Sequence, residues 1–128
     1  MPNNIIAIID DEPRWTSYLQ QTLSAHGYET QVYSSLGEQI RSRDAGHQLA
    51  IVSTLRLSQI EKIVNLDSAK WIATTVFDTR DEQLEAYRKH AIGYIPKIFE
   101  PRDLMRELEP MIKKAENMLN LPSGYFKS

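Results

Sequence analysis

A chain of 128 residues with 15 Lys plus Arg, 17 Asp plus Glu, no cysteine and 41% hydrophobic residues has the size of one domain. A compact domain of that size hides about two-thirds of the surface its unfolded chain exposes, so it needs no disulfide or metal staple. Without cysteine there is no disulfide scaffold, thiolate zinc site or cysteine nucleophile. A formal charge of −2 gives no general pull toward nucleic acid or anionic lipid. The first apolar run, Ile5 to Ile9, stops at Asp10 and is too short for a signal peptide or a membrane span. The expectation is a cytoplasmic domain that contacts neither nucleic acid nor membrane.

Ile5-Ile6-Ala7-Ile8-Ile9 is continuous and mostly β-branched, the pattern of a strand covered on both faces. After Asp11-Glu12-Pro13, the four-residue spacing of Trp15, Leu19 and Leu23 predicts a helix that stops near Gly27. Tyr28 to Tyr33 predicts a more polar strand toward a sheet edge. Ser35 with Glu38 has capping-box spacing, and Leu36 with Ile40 supplies the apolar stripe of a short second helix ending at Asp44-Ala45-Gly46. Leu49 to Val52 predicts the third strand, which leads into Ser53-Thr54. Leu57, Ile60 and Val64 then predict a helix of two or three turns. Trp71 to Val76 is the fourth strand. Thr79 and Glu82 form a second capping box, opening a fourth helix through Leu84 and Tyr87. Ile92 to Ile95 is the fifth strand. Pro101 opens a last helix with Leu104, Leu108, Met111, Ala115 and Met118 on one face, which Pro110 should kink or interrupt. A domain over residues 1–120 is expected, with 121–128 a tail or the start of a linker.

Five strand-helix units in sequence require parallel strands, and right-handed crossovers with helices on both faces give a doubly wound, flavodoxin-like (βα)5 sandwich. Such a sheet builds its site at the carboxyl ends of its strands. Those ends here carry Asp10-Asp11-Glu12, Ser53-Thr54, Thr74-Thr75 and, after the fifth strand, Lys97. Acids, hydroxyls and a lysine in one crevice suit a hard cation and a phosphoryl group. Each taken singly has a plainer explanation: acids favoured by a helix dipole, threonines by β-propensity, a lysine by solvent. Their shared rim is what points to function.

Asp10-Asp11-Glu12-Pro13, Thr75, and the run from Ala91 through Tyr94, Lys97, Phe99 and Pro101 resemble the receiver domains of bacterial two-component response regulators. The resemblance covers about Ile5 to Leu119. It implies that Asp10 and Asp11 hold magnesium, that Thr75 and Lys97 read phosphate, and that Tyr94 is the aromatic switch. The departures matter as much. Where the family has its phosphoacceptor aspartate stands Thr54, 43 positions after Asp11, or by the alternative alignment Ser53. An alcohol cannot form the family's acyl phosphate, and its loss of charge removes a magnesium ligand. The two remaining acids would repel by ~1 to 4 kcal/mol at about 4 Å. Weak or absent magnesium binding is therefore expected, with Lys97 free to pair directly with the acids. Ile98 replaces the proline that usually follows the lysine, so the Lys97-Ile98 bond is expected to be trans. His90 replaces a small residue and is expected to face solvent.

The expected function is thus a pseudo-receiver, a degenerate receiver that signals by protein contacts without aspartyl phosphorylation. Its partner would be a protein, a histidine kinase or an output domain. The contact face would be formed by the fourth helix, fifth strand and last helix, with Tyr87, Tyr94 and Met105. The alternative is a receiver that takes phosphate on Asp78, Ser53 or Thr54. An enzyme is disfavoured: there is no glycine-rich phosphate loop or nucleophile elbow, and none of His26, His47 and His90 follows a strand end. The apolar end of the last helix, at Met118 and Leu119, further suggests packing on a following domain or a second copy.

Overall fold

The computed structural model describes residues 3–127. Its elements run β1 (Asn3–Ile9), α1 (Pro13–Ala25), β2 (Thr30–Tyr33), α2 (Leu36–Ser42), β3 (His47–Ser53), a 3-10 segment (Thr54–Gln59), α3 (Ile60–Ile63), β4 (Lys70–Thr75), α4 (Arg80–Arg88), β5 (Gly93–Pro96) and α5 (Pro101–Met118). All strand pairs are parallel, in the order β2-β1-β3-β4-β5. The doubly wound, flavodoxin-like arrangement expected from the sequence is therefore present. Registers such as Ile8 opposite Ile51 and Ile51 opposite Ile72 stack the central β-branched residues across three strands.

The two-residue period of a strand divides the core into two layers. Ile6 and Ile8 point toward α1 and α5, where they meet Trp15, Leu19, Leu23, Leu104, Leu108 and Ile112. Ala7 and Ile9 point the other way, toward Ile60 and Ile63 of α3 and Ala86 of α4. Pro13 sits in the first turn of α1 and Pro101 in that of α5, where a missing N–H costs nothing. Ser35 and Glu38 form the reciprocal capping box of α2. His90 ends α4 at φ 72°, a left-handed conformation in which a small residue is easier to place.

Several expectations are corrected. The third helix is mostly a 3-10 segment followed by a single α-turn. In α2 the apolar stripe faces outward: Leu36 and Ile40 are exposed, while Gln39 and Ser42 are buried. Hydrogen bonds set this orientation, because Gln39 Nε2 donates to the Ser34 carbonyl at 3.3 Å and Ser42 Oγ to the Ile63 carbonyl at 3.0 Å. Pro110 does not interrupt α5; it lies on the exposed side of the helix, one turn after the exposed Arg106 whose carbonyl it leaves without an intrahelical partner. Met105 is buried in the α1/α5 layer instead of lying on a surface.

The stretch expected as a tail or linker folds back onto the domain. Phe126 is fully buried in the α1/α5 layer, and Leu121 and Tyr125 pack against it. The buried Glu116 carboxylate accepts the backbone N–H groups of Gly124 and Phe126, both at 3.2 Å. Lys127 forms an antiparallel bridge with Tyr28, and its ammonium lies 5.5 Å from the centre of the Tyr28 ring. Burial, followed by the charges of Glu109 and Glu116, pushes the Tyr28 phenol up to about 12. Among the described residues no helix is long and apolar enough to cross a membrane.

Candidate functional site

β1 ends by delivering Asp10 into the interior, where the residue is only 1% exposed. Lys97, just beyond β5, has its backbone N–H tied to the Thr75 carbonyl at 2.8 Å. That anchor aims its side chain inward, and the ammonium meets Asp10 Oδ2 at 2.8 Å and Glu12 Oε2 at 2.7 Å. The Lys97 side chain is 4% exposed. A buried ammonium is tolerable only when paired, and here two carboxylates and the Trp15 ring, 5.8 Å away, surround it. Asp11 is taken by Arg56 at 2.7 Å. Lys97 thus pairs with Asp10 as expected from the sequence, but its second acid is Glu12, since Asp11 goes to Arg56; Glu12 and Arg56 are participants the sequence reading left out. No cis peptide bond occurs among the described residues, so Lys97-Ile98 is trans as expected.

Both hydroxyl candidates are buried. Ser53 ends β3 opposite Thr74, and its side chain accepts the Leu55 N–H at 3.3 Å to start the 3-10 segment. Thr54 is the first residue of that segment. Asp78 is exposed on the loop between β4 and α4. Thr75 is fully buried at the end of β4 and turned toward α4. Its Oγ1 accepts the Phe77 N–H at 2.9 Å and has two acceptors for its proton, the Glu82 carboxylate and the Phe77 carbonyl at 2.9 Å. Tyr94, on β5, is buried with its hydroxyl 3.4 Å from the Phe77 carbonyl and 3.5 Å from Glu82. Burial raises the Tyr94 phenol above its ordinary range; the Thr75 hydrogen bond opposes this, and the Glu82 and Asp78 charges add to it. Of the expected contact face, only Tyr87 is well exposed.

The crevice can be tested for a divalent cation on its own donors. A hard cation needs several oxygen ligands carrying unspent negative charge. Asp10 and Glu12 already hold Lys97, Asp11 holds Arg56, and the Ser53-Thr54 pair where β3 meets the 3-10 segment offers alcohols, not carboxylates. Among the described residues no group of three or more acids or histidines is arranged to hold a metal. The residues present do not fit a magnesium centre.

No protein-family model matches the chain. The two-component response regulator PprB of Pseudomonas aeruginosa is 32% identical over 115 residues, taking in 81% of this chain and 42% of that protein. The chain thus spans less than half the length of that relative. Among solved structures, a CheY-like receiver domain from Methanospirillum hungatei superposes with a TM-score of 0.72 at 21% identity, covering 92% of this chain and 99% of that one. A response regulator from Burkholderia pseudomallei, solved with a phosphorylated aspartic acid, a calcium ion and citrate, gives 0.70 at 19% identity, covering 95% and 76%.

Proposed function

We propose that this chain, a receiver-type domain of the response-regulator kind, is a signalling module that works by protein contacts with its phosphorylation chemistry silenced. The observation that carries the reading is the charge arrangement of the crevice. Lys97 and Arg56 pair with all three acids and offset two of their three charges, and the acceptor position offers only the buried alcohols Thr54 and Ser53. Phosphate placed there would add ~1.5 to 2 negative charges beside acids whose cations are already committed. Magnesium binding is weak or absent on this reading, because a cation would first have to displace an ammonium with two ion pairs.

Protein partners follow from the same reading: a histidine kinase or an output domain, or a second copy of this chain, meeting the face of α4, β5 and α5. Tyr87, with Leu84 beside it on α4, offers exposed apolar surface there. Tyr94 and Met105 contribute from beneath as packing. The module has no catalytic activity of its own in this account.

The test is incubation of the chain with acetyl phosphate and magnesium, followed by intact mass measurement. An unchanged mass is expected, together with no displacement of the Tyr94 ring signals by beryllofluoride. A stoichiometric adduct overturns the reading, and peptide mapping then tells an exposed Asp78 from Ser53 or Thr54.

A further inference from the structure

Thr79 and Glu82 have the spacing at which a helix cap and its third residue bond each other reciprocally. Only half of that exchange forms. Thr79 Oγ1 accepts the Glu82 N–H at 3.2 Å, while the Thr79 N–H goes to the Phe77 carbonyl at 2.9 Å. The Glu82 carboxylate turns away from its own helix start and bonds the Thr75 hydroxyl, with the Tyr94 hydroxyl 3.5 Å away. One side chain of α4 is thereby tied to the end of β4 and approached by the aromatic ring of β5.

We propose that Glu82 is the positioning residue that locks the β4–α4 loop, supplying from inside the chain the anionic acceptor that Thr75 would otherwise find in a bound anion. Proton counting supports this. A threonine hydroxyl has one proton to give, and its oxygen can accept as well. Thr75 Oγ1 accepts from the Phe77 N–H at 2.9 Å, and its one proton is claimed by the Glu82 carboxylate and by the Phe77 carbonyl, also at 2.9 Å. It therefore has none left for a ligand in the crevice. The clamp reaches the next peptide too, since the Phe77 carbonyl accepts from the Thr79 N–H at 2.9 Å and lies 3.4 Å from the Tyr94 hydroxyl. Both backbone polar groups of Phe77 are occupied. The side chains of Val76 and Phe77, 52% and 64% exposed, are displayed on a loop held by its main chain. A pre-ordered loop loses less entropy when a partner binds it.

The inference rests on the reading of a crevice run without phosphate, and amide hydrogen exchange tests it separately. In Glu82→Ala the Phe77 amide should exchange about five- to tenfold faster, the factor that follows from one lost hydrogen bond. Glu82→Gln keeps an acceptor oxygen and should stay within about threefold of the parent chain. Thr75→Val removes the same junction from the other side and also the Oγ1 that the Phe77 N–H itself bonds, so it should accelerate Phe77 more than Glu82→Ala does. Thr79→Ala removes the cap on the Glu82 N–H but leaves the Glu82 carboxylate on Thr75, and should change Phe77 by less than about twofold. Unaltered Phe77 exchange in Glu82→Ala or in Thr75→Val overturns the lock. So does an equal acceleration in Thr79→Ala, which would trace the effect to the helix start alone. A failure of the phosphate-free reading shows up elsewhere, as a mass adduct on the unmutated chain.

Discussion

Replacing Lys97 by methionine keeps the length of the side chain and removes the charge that Asp10 depends on. The Asp10 carboxylate would retain the hydrogen bond that its Oδ1 accepts from the Glu12 N–H at 3.1 Å, with its side chain only 2% exposed. Removing one partner of a buried ion pair typically costs ~3 to 5 kcal/mol, because the other charge stays desolvated. Glu12, whose side chain is 42% exposed, should add little. Against an ordinary domain stability of ~5 to 15 kcal/mol that is a large fraction. Asp10→Asn should be milder, ~1 to 2 kcal/mol, since Lys97 keeps Glu12. Combining the two changes removes both charges, so the double variant should be more stable than the sum of the single losses predicts, by about 2 kcal/mol. Urea unfolding at neutral pH with unchanged m-values measures all three. A Lys97→Met loss below about 1 kcal/mol, or strict additivity, would refute the claim that Asp10 is a buried charge held by this lysine.

Phe126→Ala should cost ~3 to 5 kcal/mol in the same urea assay, the range for an aromatic deleted from a core; a loss under 1 kcal/mol would mean the fold-back contributes no packing. Tyr28 should ionise last among the tyrosines in an ultraviolet phenolate titration. Its folded phenol holds its proton to about 12 while the unfolded one releases it near 10.0, so the stability linked to it is complete below pH 10.0 and is lost as pH rises toward 12. Gly93→Ala puts a methyl where the Met111 side chain lies, with Cε and Cγ at 2.9 Å. It should cost ~1 to 2 kcal/mol, and Met111→Ala should relieve most of that added cost.

The strands and their order were legible because continuous β-branched runs leave few other readings, and the alternation of Ile6 and Ile8 with Ala7 and Ile9 already contained the two core layers. The acids and Lys97 were legible from the strand ends. Glu82 was not, for a physical reason: its spacing from Thr79 satisfied a local rule, and only the parallel pairing of β4 with β5 beside α4 brings Thr75 and Tyr94 within its reach. The outward Leu36 and Ile40 were missed because apolar periodicity dominates a helix reading, whereas α2 is seven residues long and is oriented by Gln39 and Ser42. Arg56 and Glu116 likewise have partners far away in sequence or outside their own helix, at Asp11 and at Gly124 and Phe126. The fold-back itself looks like linker because Pro122, Ser123 and Gly124 carry its turn, and a single aromatic after them supplies the anchor.

That anchor changes what the end of the chain can report. Phe126 belongs to the buried layer that β1, α1, β3 and α5 build together, so detaching it would open that layer to water. A fluorine label or a spin probe near residue 126 would therefore register loosening anywhere between the first and last helices, acting as a gauge of one whole side of the sheet.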